Sequence, residues 1–202
     1  MLQVNHLSCV RQQKEIFTDI SFELAASDIL LIQGENGSGK SSLLRLIAGL
    51  ATPEHGDICW RGQTIQTTSY RSELHYLGHL NGIKLGLTVL ENLQLAARLA
   101  DTSLEKIKTC LDDLQLSNDQ HTLTRYLSAG QKRRVALAKL FLIPKLFWIL
   151  DEPFTSLDDK TQKYFLSQLD SHLKNGGMSI ISSHHALQLA NDRRMKIMRL
   201  GP

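Results

Sequence analysis

The chain has few cysteines, and none of them is placed for a metal or redox site. Of its 202 residues only three are cysteine, namely Cys9, Cys59 and Cys110. No two of them have metal-ligand or redox spacing. Their odd number and scattered positions also argue against a disulfide framework, so we expect reduced thiols in a cytosolic environment.

Long apolar runs are missing as well. The most apolar stretch, LFLIPKLFWIL, is interrupted by Pro144 and Lys145 and falls short of the ~20 residues that a membrane-spanning helix needs. The opening MLQVNHLSCV lacks the basic start and apolar centre of a secretory signal. We therefore expect that any work at a membrane goes through a partner protein.

Neither sign of charge is in large excess. The formal net charge is +3, which is too mild a bias to indicate nucleic acid by itself. Hydrophobic residues make up 42% and charged residues 21%, as is usual for a soluble globular protein. A chain of 202 residues can form one domain with a substantial core, with or without a small subdomain.

The spacing of apolar residues predicts alternating strands and helices. Buried strands are predicted at Asp28–Gln33, Leu146–Leu150 and Met178–Ser183, and a helix at Ser41–Leu50. Before the first buried strand, ISFEL alternates as a half-buried strand does, and GDICWRGQTI predicts a hairpin. Such alternation is typical of an α/β fold with a mainly parallel sheet that is covered on both faces.

A mostly helical segment, roughly residues 80–142, interrupts this α/β core. Thr88 and Glu91 predict a capping box at the start of a helix. Thr102 and Glu105 predict a second capping box, ahead of a helix with one apolar face. That face consists of Leu104, Ile107, Leu111 and Leu114.

The segment GENGSGKSS, which begins at Gly34, fits the pattern of a phosphate-binding loop (P-loop): glycine, four residues, glycine, lysine, serine. Its glycines let the backbone bend so that successive N–H groups face one anion, and the following helix adds its positive end. Lys40 would reach the β- and γ-phosphates, and the hydroxyl of Ser41 would bind Mg²⁺. The alternative is a glycine-rich turn that matches by chance.

A second acidic motif, FWILDEP, places Asp151 and Glu152 at the end of a predicted buried strand. In a parallel sheet that end opens beside the P-loop. Asp151 would hold Mg²⁺ through water, and Glu152 would orient and deprotonate the attacking water. Pro153 would stiffen the exit from the strand. The alternative is a strand end with two solvated carboxylates.

The segment LSAGQ predicts a third helix, Gly130–Leu142, with Ser128 at its N-cap. Gly130 would allow another backbone segment to come close. The start of this helix is a second candidate anion site, which one nucleotide in one chain does not need. We expect two copies head-to-tail, so that the Ser128 helix of one copy closes over the γ-phosphate held by the other.

Together these motifs resemble the ATP-binding cassette (ABC) family over essentially the whole length. They follow the family's order: GENGSGKSS, LSAGQ, WILDEP, SLD and SSHH. The resemblance implies an ATPase with a P-loop NTPase core. It also implies an N-terminal antiparallel β subdomain and an inserted helical subdomain, all in one domain spanning 1–202. ATP and Mg²⁺ are the implied cofactors.

The resemblance also assigns the site residues. Glu152 and His184 are the implied catalytic residues, and Ser41 and Asp151 are the implied metal ligands. A lone histidine at a strand end is the alternative for His184, and His185 occupies the next, variable position. The implied ATP-binding residues are Gly34, Glu35, Asn36, Gly37, Ser38, Gly39, Lys40, Ser41, Ser42, Ser128, Ala129, Gly130, Gln131 and Asp158, the last in the loop that couples the two sites.

Three positions depart from the family's pattern. Ala129 replaces the third-position glycine of the signature. Arg11 stands where an aromatic residue usually stacks on adenine, and a guanidinium plane can also stack. Leu80 stands where a glutamine usually touches the metal and relays to the transport partner. Since leucine has no oxygen, we expect an extra water on the metal and slow turnover.

The stretches YLGHLNGIK, LSAGQKRRVALAKL and LFWILDEPFTSLD are more specifically similar to the ATPase subunits of bacterial heme exporters used in cytochrome c maturation. This resemblance implies a peripheral homodimer on the cytoplasmic face of the inner membrane. It would be docked on integral membrane subunits that handle heme themselves. Leu85, Leu87 and Leu90 would face these subunits, or they would simply pack the helical segment.

Other functions remain open at this point. An ABC ATPase for an ion, a lipid or another small molecule would share every nucleotide motif. A soluble, non-transport ABC protein is a second alternative, but such proteins usually carry two cassettes or long coiled coils. A regulator that binds nucleotide without hydrolysis is a third. The basic triplet at residues 132–134 predicts a solvated helix face or a phosphate contact rather than nucleic-acid binding.

Overall fold

The computed structural model describes residues 1–184 and 195–201. In chain order the elements are β1 (Leu2–Arg11), β2 (Lys14–Leu24), β3 (Ile29–Gln33), α1 (Lys40–Ile47), β4 (His55–Trp60), β5 (Gln63–Thr64), α2 (Thr68–Glu73), β6 (Leu74–Leu77), α3 (Val89–Leu99), α4 (Lys106–Asp113), α5 (Ala129–Leu142), β7 (Phe147–Asp151), α6 (Asp159–Lys174), β8 (Met178–Ser182) and β9 (Met195–Arg199).

The described part of the chain folds into two compact units. One, here called the sheet unit, comprises Met1–Gly78, Lys145–Pro153 and Asp170–Pro202 as far as these are described. The other, called the helical unit, comprises His79–Pro144 and Phe154–Leu169. All nine strands listed above belong to the sheet unit, and α3, α4 and α5 belong to the helical unit.

Two sheets build the sheet unit. The first has the strand order β2-β1-β4-β5 and is antiparallel throughout. The predicted hairpin is confirmed, because β4 and β5 are joined by Arg61 and Gly62, both with positive φ. The second sheet has the order β6-β7-β8-β3-β9, and every pairing in it is parallel. The predicted fold class is thereby confirmed.

The apolar strands of the parallel sheet form the centre of the unit. β7 and β8 are buried along their whole length, as is β3 up to Ile32. α1 covers one face of this sheet with Leu43, Leu44 and Ile47. Trp60 stacks on Phe147, with ring centroids 5.6 Å apart, so the two sheets share one core.

The helical unit confirms one predicted capping box and contradicts the other. Thr88 Oγ1 accepts a hydrogen bond from Glu91 N, and the Glu91 carboxylate accepts one from Thr88 N, at the start of α3. The second box does not form, because α4 begins only at Lys106 and has no side-chain cap. Ser103 lies closer in sequence and its Oγ accepts from Glu105 N instead.

The apolar face predicted for α4 is mostly confirmed. Ile107, Leu111 and Leu114 are buried, whereas Leu104 lies before the helix and is exposed. Within residues 1–184 and 195–201, no helix has both the length and the apolar character needed to cross a membrane.

Candidate functional site

The P-loop connects β3 to α1 and turns sharply at its glycines. Gly37 and Gly39 have φ values of 86° and 100°, a region that residues with a Cβ rarely adopt. A Cβ on Gly39 would also lie 2.6 Å from Cγ2 of Ile16, on β2. The loop therefore needs glycine at position 39 both for its conformation and for its packing.

Donor groups converge at this loop. Gly39 is the N-cap of α1, and no side chain caps the helix, so its first N–H groups are left for a ligand. Lys40 is 5% exposed, and its Nζ donates to the carbonyl oxygens of Gly34 at 2.7 Å and Glu35 at 2.9 Å. Ser38 Oγ is buried without a hydrogen-bond partner among the described residues. This arrangement is suited to a phosphate group.

An open pocket of about 680 Å³ lies against the P-loop. Its size is in the range of small-molecule sites. Arg199, at the end of β9, adds a positive charge that the sequence prediction did not include. The lining residues are Gln33, Gly34, Glu35, Asn36, Gly37, Ser38, His184, Arg199, Leu200 and Gly201.

The acidic motif is held by a serine of the neighbouring strand. Asp151 is 4% exposed and lies opposite Ser182 in the β7–β8 register. Ser182 Oγ donates to Asp151 Oδ1 at 2.7 Å and accepts from Glu152 N at 2.9 Å. No role was assigned to Ser182 from the sequence, although this residue begins the SSHH motif and lies near the end of a predicted buried strand.

Glu152 and His184 form a direct pair. His184 Nε2 lies 2.7 Å from Glu152 Oε1, and both side chains remain about one-third exposed (35% and 31%). Glu152 has a φ of 47°, which is costly for a residue with a Cβ and is typical of functional positions. The structure thus brings together the two residues that the sequence predicted to be catalytic. His185 lies outside the described residues.

Tyr76 on β6 is a further neighbour of Asp151 that the sequence prediction did not include. Burial raises the pKa of its hydroxyl, and the charge of Asp151 raises that pKa further, while Arg45 opposes the shift. The phenol therefore stays protonated and can act as a hydrogen-bond donor.

The oxygen ligands at the site fit a magnesium ion bound together with a nucleotide. Mg²⁺ prefers oxygen ligands and is usually held by one or two carboxylates, by waters and by substrate phosphates. Asp151 offers a buried carboxylate, and Ser41 offers a hydroxyl in the first turn of α1. In the described part of the chain, no three His, Cys, Asp or Glu residues cluster as a self-sufficient metal site.

The signature residues lie in the helical unit at the start of α5. Ser128 is confirmed as the N-cap, since its Oγ accepts from Gln131 N at 3.1 Å. The Gln131 amide completes a capping box by accepting from Ser128 N and also donates to Asp119. A Cβ on Gly130 would lie 2.6 Å from Ser156 O, so the predicted close backbone approach is confirmed. Ala129 is exposed in the first turn.

Asp158 of the SLD segment caps α6. Its Oδ1 accepts from Thr161 N at 2.8 Å. The hydrogen bond from Thr161 N lowers the pKa of Asp158, and the charges of Arg134 and Lys160 add to the effect. Asp158 therefore has a structural role in addition to the one predicted for it.

The basic triplet at residues 132–134 is not an open cationic patch. Arg133 is 5% exposed and donates to Asn81 Oδ1 at 3.0 Å. Lys132 Nζ donates to the carbonyl of Arg125. These contacts tie two of the three cations to the helical unit itself.

Arg11 and Leu80 are both exposed. Arg11 ends β1, and a two-residue turn then leads into β2, where Ile16 lies beside Gly39 of the P-loop. The hairpin that carries Arg11 therefore runs next to the phosphate loop. Leu80, at the position of the expected glutamine, is 87% exposed in the helical unit.

Comparison with known proteins identifies the family to which the chain belongs. The sequence pattern of the ABC transporter family matches residues 17–155, which include the P-loop, the signature and the acidic motif. The chain belongs to the ABC transporter family. The resemblance seen in the sequence is thereby confirmed, and with it the assignment of the chain as an ABC-type ATPase.

Individual ABC proteins match over nearly the whole chain or all of it. The cytochrome c biogenesis ATP-binding export protein CcmA of Dechloromonas aromatica is 42% identical, and the match covers 100% of both chains. The CcmA protein of Methylococcus capsulatus is also 42% identical, over 93% of both chains. Among solved structures, an ATP-binding subunit of an ABC transporter has a TM-score of 0.84 at 25% identity and covers 98% of this chain and 87% of its own.

Proposed function

We propose that the chain is the ATP-hydrolysing subunit of a membrane ABC complex that exports heme, or releases it to a heme chaperone, in cytochrome c biogenesis. The main support for ATP hydrolysis is the position of three motifs at one edge of the parallel sheet. The P-loop, the Asp151–Glu152 pair and His184 follow β3, β7 and β8, which are adjacent parallel strands whose carboxyl ends share one edge. The biogenesis role is supported by full-length relatives that carry that name.

Each residue then has a defined role. The P-loop N–H groups and Lys40 bind the β- and γ-phosphates, with Arg11 on the side of the base. Ser41 and Asp151 would hold Mg²⁺, which when bound would neutralise charge on the transferred phosphoryl group. The Glu152 carboxylate accepts a proton from the attacking water. His184 contacts the γ-phosphate and, through its 2.7 Å contact with Oε1, orients that carboxylate.

The other half of the site comes from a second copy. Ser128, Ala129, Gly130, Gln131 and Asp158 of one chain complete the nucleotide pocket of the other in a head-to-tail homodimer. The exposed signature turn supports this, because Ser128 and Ala129 are accessible at the start of α5. ATP would then hold the two copies together, and its hydrolysis would let them separate.

Integral membrane subunits are the proposed partners, and they place this peripheral protein on the cytoplasmic face of the inner membrane. Leu85 is 53% exposed and available for docking, whereas Leu87 and Leu90 are half-buried. Heme would be handled by those partners. An ABC ATPase for another substrate is the alternative, and heme absorbance in the complex purified from its native membrane would decide between them.

The variant Glu152→Gln tests the mechanism. It removes the proton acceptor but keeps the side-chain shape, so we expect binding of ATP and Mg²⁺ without turnover and a trapped dimer. Light scattering should show about twice the monomer mass with ATP and the monomer mass with ADP. Glu105→Gln, an exposed position in the helical unit, is the matched control and should behave as the unmodified protein.

Two results with the Glu152→Gln variant would contradict the proposed mechanism. If Glu152→Gln stays monomeric with ATP and Mg²⁺, and remains so when the membrane subunits are present, the head-to-tail dimer is wrong. If the variant hydrolyses ATP at the same rate as the unmodified protein, Glu152 is not the proton acceptor.

A further inference from the structure

Tyr76 shares a face of the parallel sheet with Asp151. It lies opposite Ile149 in the β6–β7 register, and both residues pack against the core cluster that contains Leu44 and Ile47 of α1. Side chains two residues apart on a strand share a face, so Asp151 projects from the same face as Ile149. Tyr76 and Asp151 are therefore on the face that α1 covers.

The ring of Tyr76 leans toward the carboxyl end of its strand. A Cβ added to Gly78 would lie 2.9 Å from both Cε1 and the hydroxyl oxygen of Tyr76, so the phenol lies over Gly78. Leu77 pairs with Leu150, and one more residue along each strand leads to Gly78 and Asp151. The hydroxyl thus reaches the level of Asp151 along the two paired strands.

Asp151 is consequently flanked from two strands. Ser182 on β8 donates to its Oδ1 at 2.7 Å. Tyr76 lies on β6, which pairs with β7 on the side opposite to β8. A magnesium ion in a nucleotide site keeps several of its waters, and side chains that hydrogen-bond those waters or the carboxylate ligands tune its affinity.

We propose that Tyr76 is a positioning residue for the divalent cation: its hydroxyl donates a hydrogen bond to the water that links Asp151 to the metal. This rests on the proposed function, since it requires a metal–nucleotide complex at the P-loop. The proposal also gives Gly78 a role: its lack of a side chain leaves room for the phenol, which a Cβ at this position would push away from Asp151.

The test compares nucleotide binding with and without metal. The variant Tyr76→Phe keeps the ring and removes only the hydroxyl. Affinity for a non-hydrolysable ATP analogue is measured by fluorescence titration in Mn²⁺ and in EDTA. We expect about a tenfold loss in Mn²⁺ and no change in EDTA, in line with the cost of removing an outer-sphere partner. The electron paramagnetic resonance signal of bound Mn²⁺ should weaken correspondingly.

Two further variants sharpen the result. Gly78→Ala should show the same loss in Mn²⁺, because it displaces the phenol without removing it. Tyr164→Phe is the matched control: its hydroxyl donates to the Asp113 carboxylate at 2.7 Å in the helical unit, so its removal should change neither affinity.

Other results would overturn the proposal. Unchanged affinity of Tyr76→Phe in Mn²⁺ would show that the hydroxyl does not act on the metal. An equal loss in Mn²⁺ and in EDTA would assign Tyr76 to the nucleotide or to the fold instead. If the unmodified protein bound the analogue in neither buffer, the proposed function itself would fail, and the proposal with it.

Discussion

At the scale of single residues, Ser182 determines the geometry of the acidic motif. Its one hydroxyl donates to Asp151 Oδ1 and accepts from Glu152 N. Glu152 is in a costly left-handed conformation, with a φ of 47°, so its N–H needs a partner that holds the turn. The hydroxyl therefore supports both the proposed metal ligand and the proposed proton acceptor.

The substitution Ser182→Ala should lower kcat by roughly tenfold. The Asp151 carboxylate loses a donor and the Glu152 N–H loses an acceptor, and a hydrogen bond to a charged group contributes about 1.5–3 kcal/mol. The free energy of unfolding should fall by a similar amount. ATPase assays and urea denaturation measure the two effects.

Ser179→Ala on the same strand is the control for this prediction. Ser179 is fully buried, and its hydroxyl has no hydrogen-bond partner among the described residues. Removing it should leave turnover unchanged. A Ser182→Ala protein with the kcat of the unmodified chain would contradict the role given to Ser182.

At the scale of elements, the helix N-termini differ in how they are satisfied. α3 and α5 begin with capping boxes, and Asp158 caps α6. α1 begins at Gly39 without a side-chain cap. The first N–H groups of α1 are therefore free to bind an anion in the pocket of the same chain. Those of α5 are shared between the Ser128 hydroxyl and, as proposed, the nucleotide of a neighbouring copy.

The pair Ser128→Asp and Ser128→Asn separates capping from phosphate contact. Both residues cap helices as well as serine does, so the free energies of unfolding of the two variants should agree within about 0.5 kcal/mol. Only the aspartate adds a negative charge, which would repel the neighbour's γ-phosphate. We expect its ATPase rate and ATP-dependent dimerisation to be about tenfold lower than for asparagine. Equal rates would place Ser128 away from any nucleotide.

At the scale of the whole molecule, several large apolar side chains of the helical unit are exposed. Leu80, Leu99 and Tyr126 are 87%, 81% and 70% exposed. Arg125 N donates to Leu85 O, which ties the turn that carries Tyr126 to the loop after Leu80. In the proposed complex, the membrane subunits would bury some of these side chains.

Leu80→Gln tests how turnover depends on this surface. Because Leu80 is largely exposed, the fold and ATP binding should be unaffected. Glutamine supplies the oxygen that the family pattern places here, so we expect a changed ATPase rate, or a changed response of that rate to the membrane subunits. Steady-state kinetics of the purified complex provide the measurement. Kinetics indistinguishable from those of the unmodified complex would remove the idea that Leu80 slows turnover.

Features that depend on near neighbours in the chain were predictable from the sequence. The P-loop glycines, the Thr88 and Ser128 caps and the buried strand before Asp151 all follow from local patterns. The capping box predicted at Thr102 was wrong for a local reason as well. Ser103 offers a nearer acceptor to Glu105 N, and the helix starts later.

The order of the motifs along the chain determined the family and the list of candidate residues, because each motif is a short run that binds phosphate or carries a carboxylate. Only the tertiary structure decided which of those groups act on one another. Ser182 meets Asp151, Tyr76 leans over Gly78 and His184 reaches Glu152 because of the register of parallel strands. That register depends on how distant segments bury their apolar faces together, and no local pattern encodes it.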